Sequence, residues 1–311
     1  MIKYNNISFS YGSITIFDNI SIDVSEAGSI IGLMGQSGSG KSTLLNLITG
    51  FIQPFNGEIF ISETNVTKLK PQDRGVAYVF QDYALFPNLT VSENIAFGLK
   101  AKKLSKSEIK EKVFEVVKLL EIDSLLNSNV EKISGGEKQR VALARSIVVA
   151  PKVLLLDEVF SAIDNNLKPE LRKKVRELLK RLGITTILVS HSFEDITSVC
   201  DRVSFIENKL ITPPATIAEV ISNPPNYNIA SLIGLENIFQ SIDQKDIFYI
   251  PNEALNTTFK KSHLALSKLS EKYIGSVKYE VFKYKNYDVL FPHSGCDTLY
   301  LDVTKIRVFN E

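Results

Sequence analysis

Cysteine is nearly missing from this sequence: its 311 residues hold two, Cys200 and Cys296. Two thiols cannot build a disulfide framework, so a reducing compartment is the simpler setting. An excess of charge of either sign is missing as well. Lys and Arg total 36 against 35 Asp and Glu, a formal net charge of +1, which argues against a chain that coats nucleic acid or an acidic membrane. Long apolar runs are also missing. Arg145 and Lys152 interrupt the stretch from Val141 to Leu156, and no segment reaches the roughly 18–20 apolar residues that span a bilayer. The opening residues, Met1-Ile2-Lys3-Tyr4-Asn5-Asn6, carry no charged-then-apolar leader. There is no internal repeat and no low-complexity tract. A soluble cytosolic protein is expected, with any membrane role reached through a partner. What remains is ordinary globular composition, 44% hydrophobic and 23% charged. At roughly 150 residues per domain the length suggests about two domains.

The first two-thirds alternate short β-branched runs with helical patterns, the mark of an α/β fold. Ser29 to Met34 reads as a buried strand, followed by glycines and a helix running toward Gly50. Gly57 to Ile61, Val76 to Phe80, Val153 to Leu156 and Ile184 to Val189 are further strands. Ile109, Val113, Val116, Val117 and Leu120 form one helical stripe, and Leu171, Val175, Leu178, Leu179 and Leu182 form another that ends at Gly183. Pro213-Pro214 and Pro224-Pro225 then punctuate the chain. Beyond Glu236, 12 of the 29 Phe and Tyr residues crowd into the last 76 positions, and the pattern shortens to a period of two, as in Val277 to Val281. That suits a small all-β barrel with one wet face. The expected division is 1–235, an α/β domain with a helical subdomain at about 86–150, and 236–311, a β-barrel domain.

Gly35-Gln36-Ser37-Gly38-Ser39-Gly40-Lys41-Ser42 matches G-x-x-x-x-G-K-[ST], between a strand and a helix as a phosphate-binding loop requires. Glycines let backbone N–H groups turn inward, and the helix start adds partial positive charge. Lys41 is placed to reach the β- and γ-phosphates and the Ser42 hydroxyl to ligate Mg2+. Val153 to Leu156 ends in Asp157-Glu158. If that strand runs beside the phosphate loop, Asp157 can hold Mg2+ through its water shell and Glu158 can polarise the attacking water. Taken alone, two acids also simply mark where a buried strand meets solvent. Ser134-Gly135-Gly136-Glu137 opens another helix and offers a second anion site, although the same residues read equally well as an N-cap with an acid at N3.

The order of these three motifs resembles the ATP-binding cassette (ABC) ATPases, and Ser134 to Arg145 is similar to their signature almost letter for letter. On that resemblance, Tyr11 is the aromatic that stacks on adenine, and Gly35, Ser37, Gly38, Ser39, Gly40, Lys41, Ser42 and Thr43 hold the phosphates. Gln81 of Phe80-Gln81 contacts metal and water, Asp164 belongs to the Ser161-Ala162-Ile163-Asp164 loop, and His191 is the switch histidine at the γ-phosphate. The catalytic set is then Glu158, His191, Gln81 and Lys41. The metal set is Ser42, Gln81 and Asp157, and the cofactors are ATP and Mg2+.

Tyr83 to Pro87 with Thr90 to Ile95 resembles the importer branch serving sugars, polyamines, iron, sulfate and molybdate. Gly234 to Phe239 and Thr304 to Phe309 resemble the start and last strand of that branch's oligonucleotide-binding-like regulatory barrel. A C-terminal domain shorter than in sugar transporters favours a small ion or polyamine as cargo. Val159, Ser192 and Ile133 depart from the usual proline, aspartate and leucine, which puts rate in doubt but removes no charge from the chemistry. The resemblance implies a head-to-tail dimer in which Ser134, Gly135 and Gly136 serve the partner's γ-phosphate. It also implies permease subunits, indirectly a substrate-binding protein, no nucleic acid, and a peripheral place on the cytoplasmic face of the membrane. Two rivals stand beside this reading: a cytosolic ABC ATPase that moves no substrate, and a nucleotide-dependent ligand sensor. His293 and Cys296 could form a loose metal pair, but such residues are more often simply loop residues.

Overall fold

The computed structural model describes residues 2–24, 26–102, 104–161 and 163–235, and, further on, 238–240, 246–249, 255–256, 264–274, 277–284, 287–292, 298–301 and 307–310. The chain divides into two compact units, Met1–Thr216 and Ile217–Glu311. The change in sequence character lies later, near Leu235.

The first unit opens with β1 (Ile2–Tyr11) and β2 (Ile14–Val24), then β3 (Ile30–Gly35) and α1 (Lys41–Thr49). Next come β4 (Asn56–Ile61), β5 (Thr64–Asn65) and β6 (Val76–Val79). Three helices follow: α2 (Val91–Lys100), α3 (Lys106–Leu119) and α4 (Gly135–Ile147). Then come β7 (Val153–Asp157), α5 (Lys168–Leu182), β8 (Thr185–Val189), α6 (Phe193–Val199), β9 (Arg202–Glu207), β10 (Leu210–Ile211) and β11 (Ala215–Thr216). This is a P-loop α/β fold. One sheet has the order β10-β9-β3-β8-β7-β6, and β9, β3, β8, β7 and β6 run parallel. Its central strands are buried along their whole length and mostly apolar, as expected where both faces are covered.

β7 is not hydrogen-bonded to β3, because β8 lies between them. In a parallel sheet every strand still delivers its C-terminal end to the same edge, so Gly35, Asp157 and Val189 arrive together there. A smaller antiparallel sheet, β2-β1-β4-β5, packs its apolar residues into the core with α1. The buried Arg74 binds the far end of α1. Its guanidinium donates to the carbonyls of Leu47 at 2.7 Å and Ile48 at 3.1 Å, and to those of Leu69 and Thr67. A cation on the last carbonyls of a helix opposes the macrodipole and satisfies orphan acceptors.

The second unit starts with α7 (Ile217–Ser222) and α8 (Tyr227–Leu232). Its described strands are β12 (Ile238–Gln240), β13 (Asp246–Tyr249), β14 (Leu255–Asn256), β15 (Leu264–Ile274), β16 (Val277–Tyr284), β17 (Tyr287–Pro292), β18 (Thr298–Leu301) and β19 (Arg307–Asn310). They pair as antiparallel sheets of order β12-β13-β19 and β14-β18-β15-β16-β17. Leu266, Val281, Phe282, Val289 and Leu301 are buried. Glu236, Asn237, 304–306, His293 and Cys296 lie outside the described residues, so the metal pair has no structural account. Among the described residues no helix is long and apolar enough to cross a membrane.

Candidate functional site

At the C-terminal edge of the parallel sheet, β3 gives way to a glycine loop and then to α1. Gly40, the N-cap of α1, has φ of +107°, and no side chain caps the helix. The contrast with its neighbours is informative. α2, α3 and α4 each begin with a complete capping box, Thr90 with Glu93, Ser105 with Glu108, and Ser134 with Glu137. α1 alone among these four leaves its first N–H groups without a side-chain acceptor, the state in which a helix start receives an anion. Gly38, at φ +78°, has open space where a Cβ would sit.

Lys41 is 6% exposed, with Nζ donating to the carbonyls of Gly35 at 2.8 Å and Gln36 at 2.9 Å. Burial lowers the pKa of its ammonium, and the charges of Glu158 and Asp157 oppose that shift. A cavity of about 220 Å3 opens over this loop, lined by Ile16, Ser37, Gly38, Gly40, Lys41, Ser42, Thr43, Glu158 and His191. Of the residues expected from sequence, this brings together Ser37, Gly38, Gly40, Lys41, Ser42, Thr43, Glu158 and His191, while Gly35 and Ser39 do not line it. Ile16 was missed, since nothing in the primary sequence says that β2 passes beneath the loop.

Glu158 follows β7 with φ of +48°, an uncommon conformation for a non-glycine residue and one that marks functional sites. Its N–H donates to the Val189 carbonyl at 3.0 Å, and its own carbonyl accepts from Ser161. One carboxylate oxygen lies 2.6 Å from His191 Nε2, and the other accepts from Gln81 Nε2 at 3.1 Å. Asp157 accepts from the Tyr78 hydroxyl at 2.7 Å. Burial raises the pKa of the Asp157 carboxyl, and the hydrogen bond from Tyr78 opposes this.

Other expected residues lie apart from the cavity. Tyr11, exposed at the end of β1, packs edge-on against Phe9, with ring centroids 4.8 Å apart. Asp164 caps its own turn, accepting from Asn166 N–H at 2.9 Å; Ala162 beside it lies outside the described residues. Ser134, Gly135 and Gly136 sit at the solvent-facing start of α4 and do not line the cavity. Ser134 Oγ donates to the Glu137 carboxylate at 2.8 Å, the N-cap arrangement with an acid at N3. The Ser134 hydrogen bonds hold the Glu137 carboxyl below its usual pKa.

Residues 17–161 match the family described as ABC transporter. The chain is 45% identical over 239 residues to the spermidine/putrescine import ATP-binding protein PotA of Legionella pneumophila strain Paris, covering 77% of this chain and 65% of that protein. The matched segment is similar to the ABC transporter family. The PotA of the Philadelphia 1 strain is similar at 44% identity over the same length, so this chain spans just under two-thirds of the relatives it matches. Among solved structures, a dimeric post-hydrolysis state of the ATP-binding cassette MJ0796 bound to ADP and Pi aligns with TM-score 0.62 at 27% identity, covering 70% of this chain and 99% of that one. CbiO1 from Clostridium perfringens, part of the transporter complex cbiONQ, aligns with TM-score 0.66 at 27% identity, covering 71% and 90%.

The donors of the glycine loop fit a nucleotide's phosphate chain: an uncapped helix start and a buried ammonium. They also fit Mg2+. No group of three or more His, Cys, Asp and Glu occurs among the described residues, and Mg2+ is characteristically held by one or two oxygen side chains together with substrate phosphates and water. Ser42 and Asp157 supply that minimal set.

Proposed function

We propose that this chain is the ATP-hydrolysing subunit of an importer in the cytoplasmic membrane, with a polyamine or small ion as cargo. The observation that carries the reading is the facing of an uncapped, lysine-bearing helix start by the Glu158–His191 pair across one cavity. The likeness to spermidine/putrescine import subunits supports polyamine within that cargo class.

In this reading the loop N–H groups and Lys41 bind the β- and γ-phosphates, and Tyr11 stacks on the base. Ser42 and Asp157 hold Mg2+, which supplies charge neutralisation at the phosphates. Glu158 accepts a proton from the attacking water, Gln81 orients that carboxylate, and His191 holds its other oxygen beside the γ-phosphate. Little covalent chemistry is asked of the protein; positioning and charge do the rest.

Ser134, Gly135 and Gly136 do not line this cavity; in this reading they complete the cage of a second copy. ATP then holds two chains together, and loss of the γ-phosphate releases them. Opening and closing pass to permease helices, which keep this peripheral subunit at the membrane. Residues 236–311 serve as the regulatory domain.

The test has two stages. Glu158→Gln with ATP should elute as a dimer, and adding Gly135→Asp should return it to monomer, because a carboxylate would meet the γ-phosphate. A dimer in the double variant overturns the composite site. Turnover by the unaltered chain should then respond to its permease in vesicles loaded to report spermidine uptake. Turnover indifferent to any permease favours the non-transport ATPase or sensor instead.

A further inference from the structure

The segment that carries Gln81 does more than deliver that amide. Tyr78, three residues earlier on β6, extends its hydroxyl to Asp157 Oδ2 at 2.7 Å, while Gln81 reaches Glu158 at 3.1 Å. Two adjacent acids at the end of β7 are therefore each held by a separate donor from one neighbouring stretch. The register allows it: β6 and β7 are parallel, with Tyr78 opposite Leu155 and Val79 opposite Leu156. A long phenol can thus lean forward to the carboxylate two positions on.

The phenol is itself held in place. Its ring stacks on Phe80 with centroids 4.1 Å apart and 22° between planes, and Phe80 stacks in turn on Phe51 at 6.4 Å and 12°. A ring fixed by stacking keeps its hydroxyl in one place, so the hydrogen bond it donates sets the plane of the carboxylate. Asp157 Oδ2 is engaged, and Oδ1 has no donor among the described residues.

We infer that Tyr78 is the positioning residue for the metal-holding carboxylate, turning Asp157 so that one oxygen is reserved for the metal's water shell. This rests on the proposed role of Asp157. Ligating carboxylates are commonly held by an outer hydrogen bond, whose loss lowers metal affinity by about 10–100-fold. The phenol is suited to the task because it can donate without adding a competing charge.

The test uses Mn2+ as probe, bound to the full chain with a non-hydrolysable ATP analogue and followed by electron paramagnetic resonance. Tyr78→Phe keeps the ring and its stacking and removes only the donor. It should raise the Mn2+ Kd by about 10–100-fold, with analogue binding in EDTA and thermal midpoint unchanged. Mn2+ affinity within about twofold of the unaltered chain overturns the inference, as does an equal loss of analogue binding in EDTA. Asp157→Asn separates this from failure of the underlying reading: if that variant also binds Mn2+ normally, Asp157 does not hold the metal at all. If Asp157→Asn loses Mn2+ and Tyr78→Phe does not, only the role of Tyr78 is wrong.

Discussion

His191 Nε2 lies 2.6 Å from Glu158 Oε1, joining the end of β8 to the residue after β7. Gln81 holds the opposite oxygen of the same carboxylate, so three segments converge on one side chain that also occupies a left-handed backbone conformation. Strain of this kind persists only where surroundings enforce it.

Glu158→Gln should preserve ATP binding and lower turnover by at least about 10², the low end for a base of this kind. Glu158→Gly should be as inactive yet more resistant to heat, since glycine relieves about 1 kcal/mol of left-handed strain. Phosphate release and thermal melts, run side by side, check both; near-normal hydrolysis by the glutamine variant removes Glu158 from the base role.

Two glycines two positions apart in the loop should respond differently to the same substitution. At Gly40 a Cβ would lie 2.8 Å from Ile16 Cγ2 and 2.9 Å from Phe17 Cζ, in a conformation that alanine rarely adopts. At Gly38 it would meet open space. Gly40→Ala should therefore lose about 2–5 kcal/mol of stability from overpacking and strain together, and Gly38→Ala only the strain of about 1–2 kcal/mol. Equal urea midpoints for the two variants would contradict this.

Asp201 sets a limit on acid stability. Burial alone would raise its pKa, but hydrogen bonds from Lys180 and the Ile30 N–H, with the charges of Lys180 and Arg176, outweigh that and hold it below the usual carboxylate value. A depressed folded pKa contributes stability that is present above the unfolded value of about 3.9 and is lost as pH falls through the folded one. Because Ile30 opens β3, which leads into the phosphate loop, that loss loosens the site's own strand. Asp201→Asn should cost about 1–2 kcal/mol at pH 7 and flatten the fall in melting temperature below about pH 4. A parallel fall in both proteins would exclude Asp201 as a source.

Arg172 and Asp195 form a pair that is 3% and 5% exposed, with Nε donating to Oδ1 at 2.8 Å. Arg172→Met leaves a buried carboxylate unpaired and should cost about 3–5 kcal/mol. Combining it with Asp195→Leu should recover part of that loss, since the stranded charge is gone. A double variant no more stable than the single one, by denaturant titration, would show that packing rather than charge sets the cost.

Much of the sheet could be read before folding. Ser29 to Met34, Val153 to Leu156 and Ile184 to Val189 read as buried strands from sequence, and they supply the buried parallel strands β3, β7 and β8. β1 and β2 escaped because their alternation is broken. Register shifts fall between Tyr4 and Ile7, and between Ile7 and Phe9, and Asn6 and Asn19 take positive φ. Bulges of this kind shift a two-residue period out of phase. Tyr78 went unremarked for another reason: a tyrosine in a buried strand looks the same whether it packs or donates.

Local chemistry, written in the order of residues, was enough to establish the glycine loop, the lysine behind it, the paired acids and the signature helix, because backbone turns and charge-bearing side chains act over a few positions. Three-dimensional packing settled what no local pattern encodes: that β8 separates β3 from β7, that His191 and Gln81 take opposite oxygens of Glu158, and that α1 is left uncapped while α4 is not. These are relations between segments distant in the chain, and only the shared edge of a parallel sheet brings them within a hydrogen bond of one another.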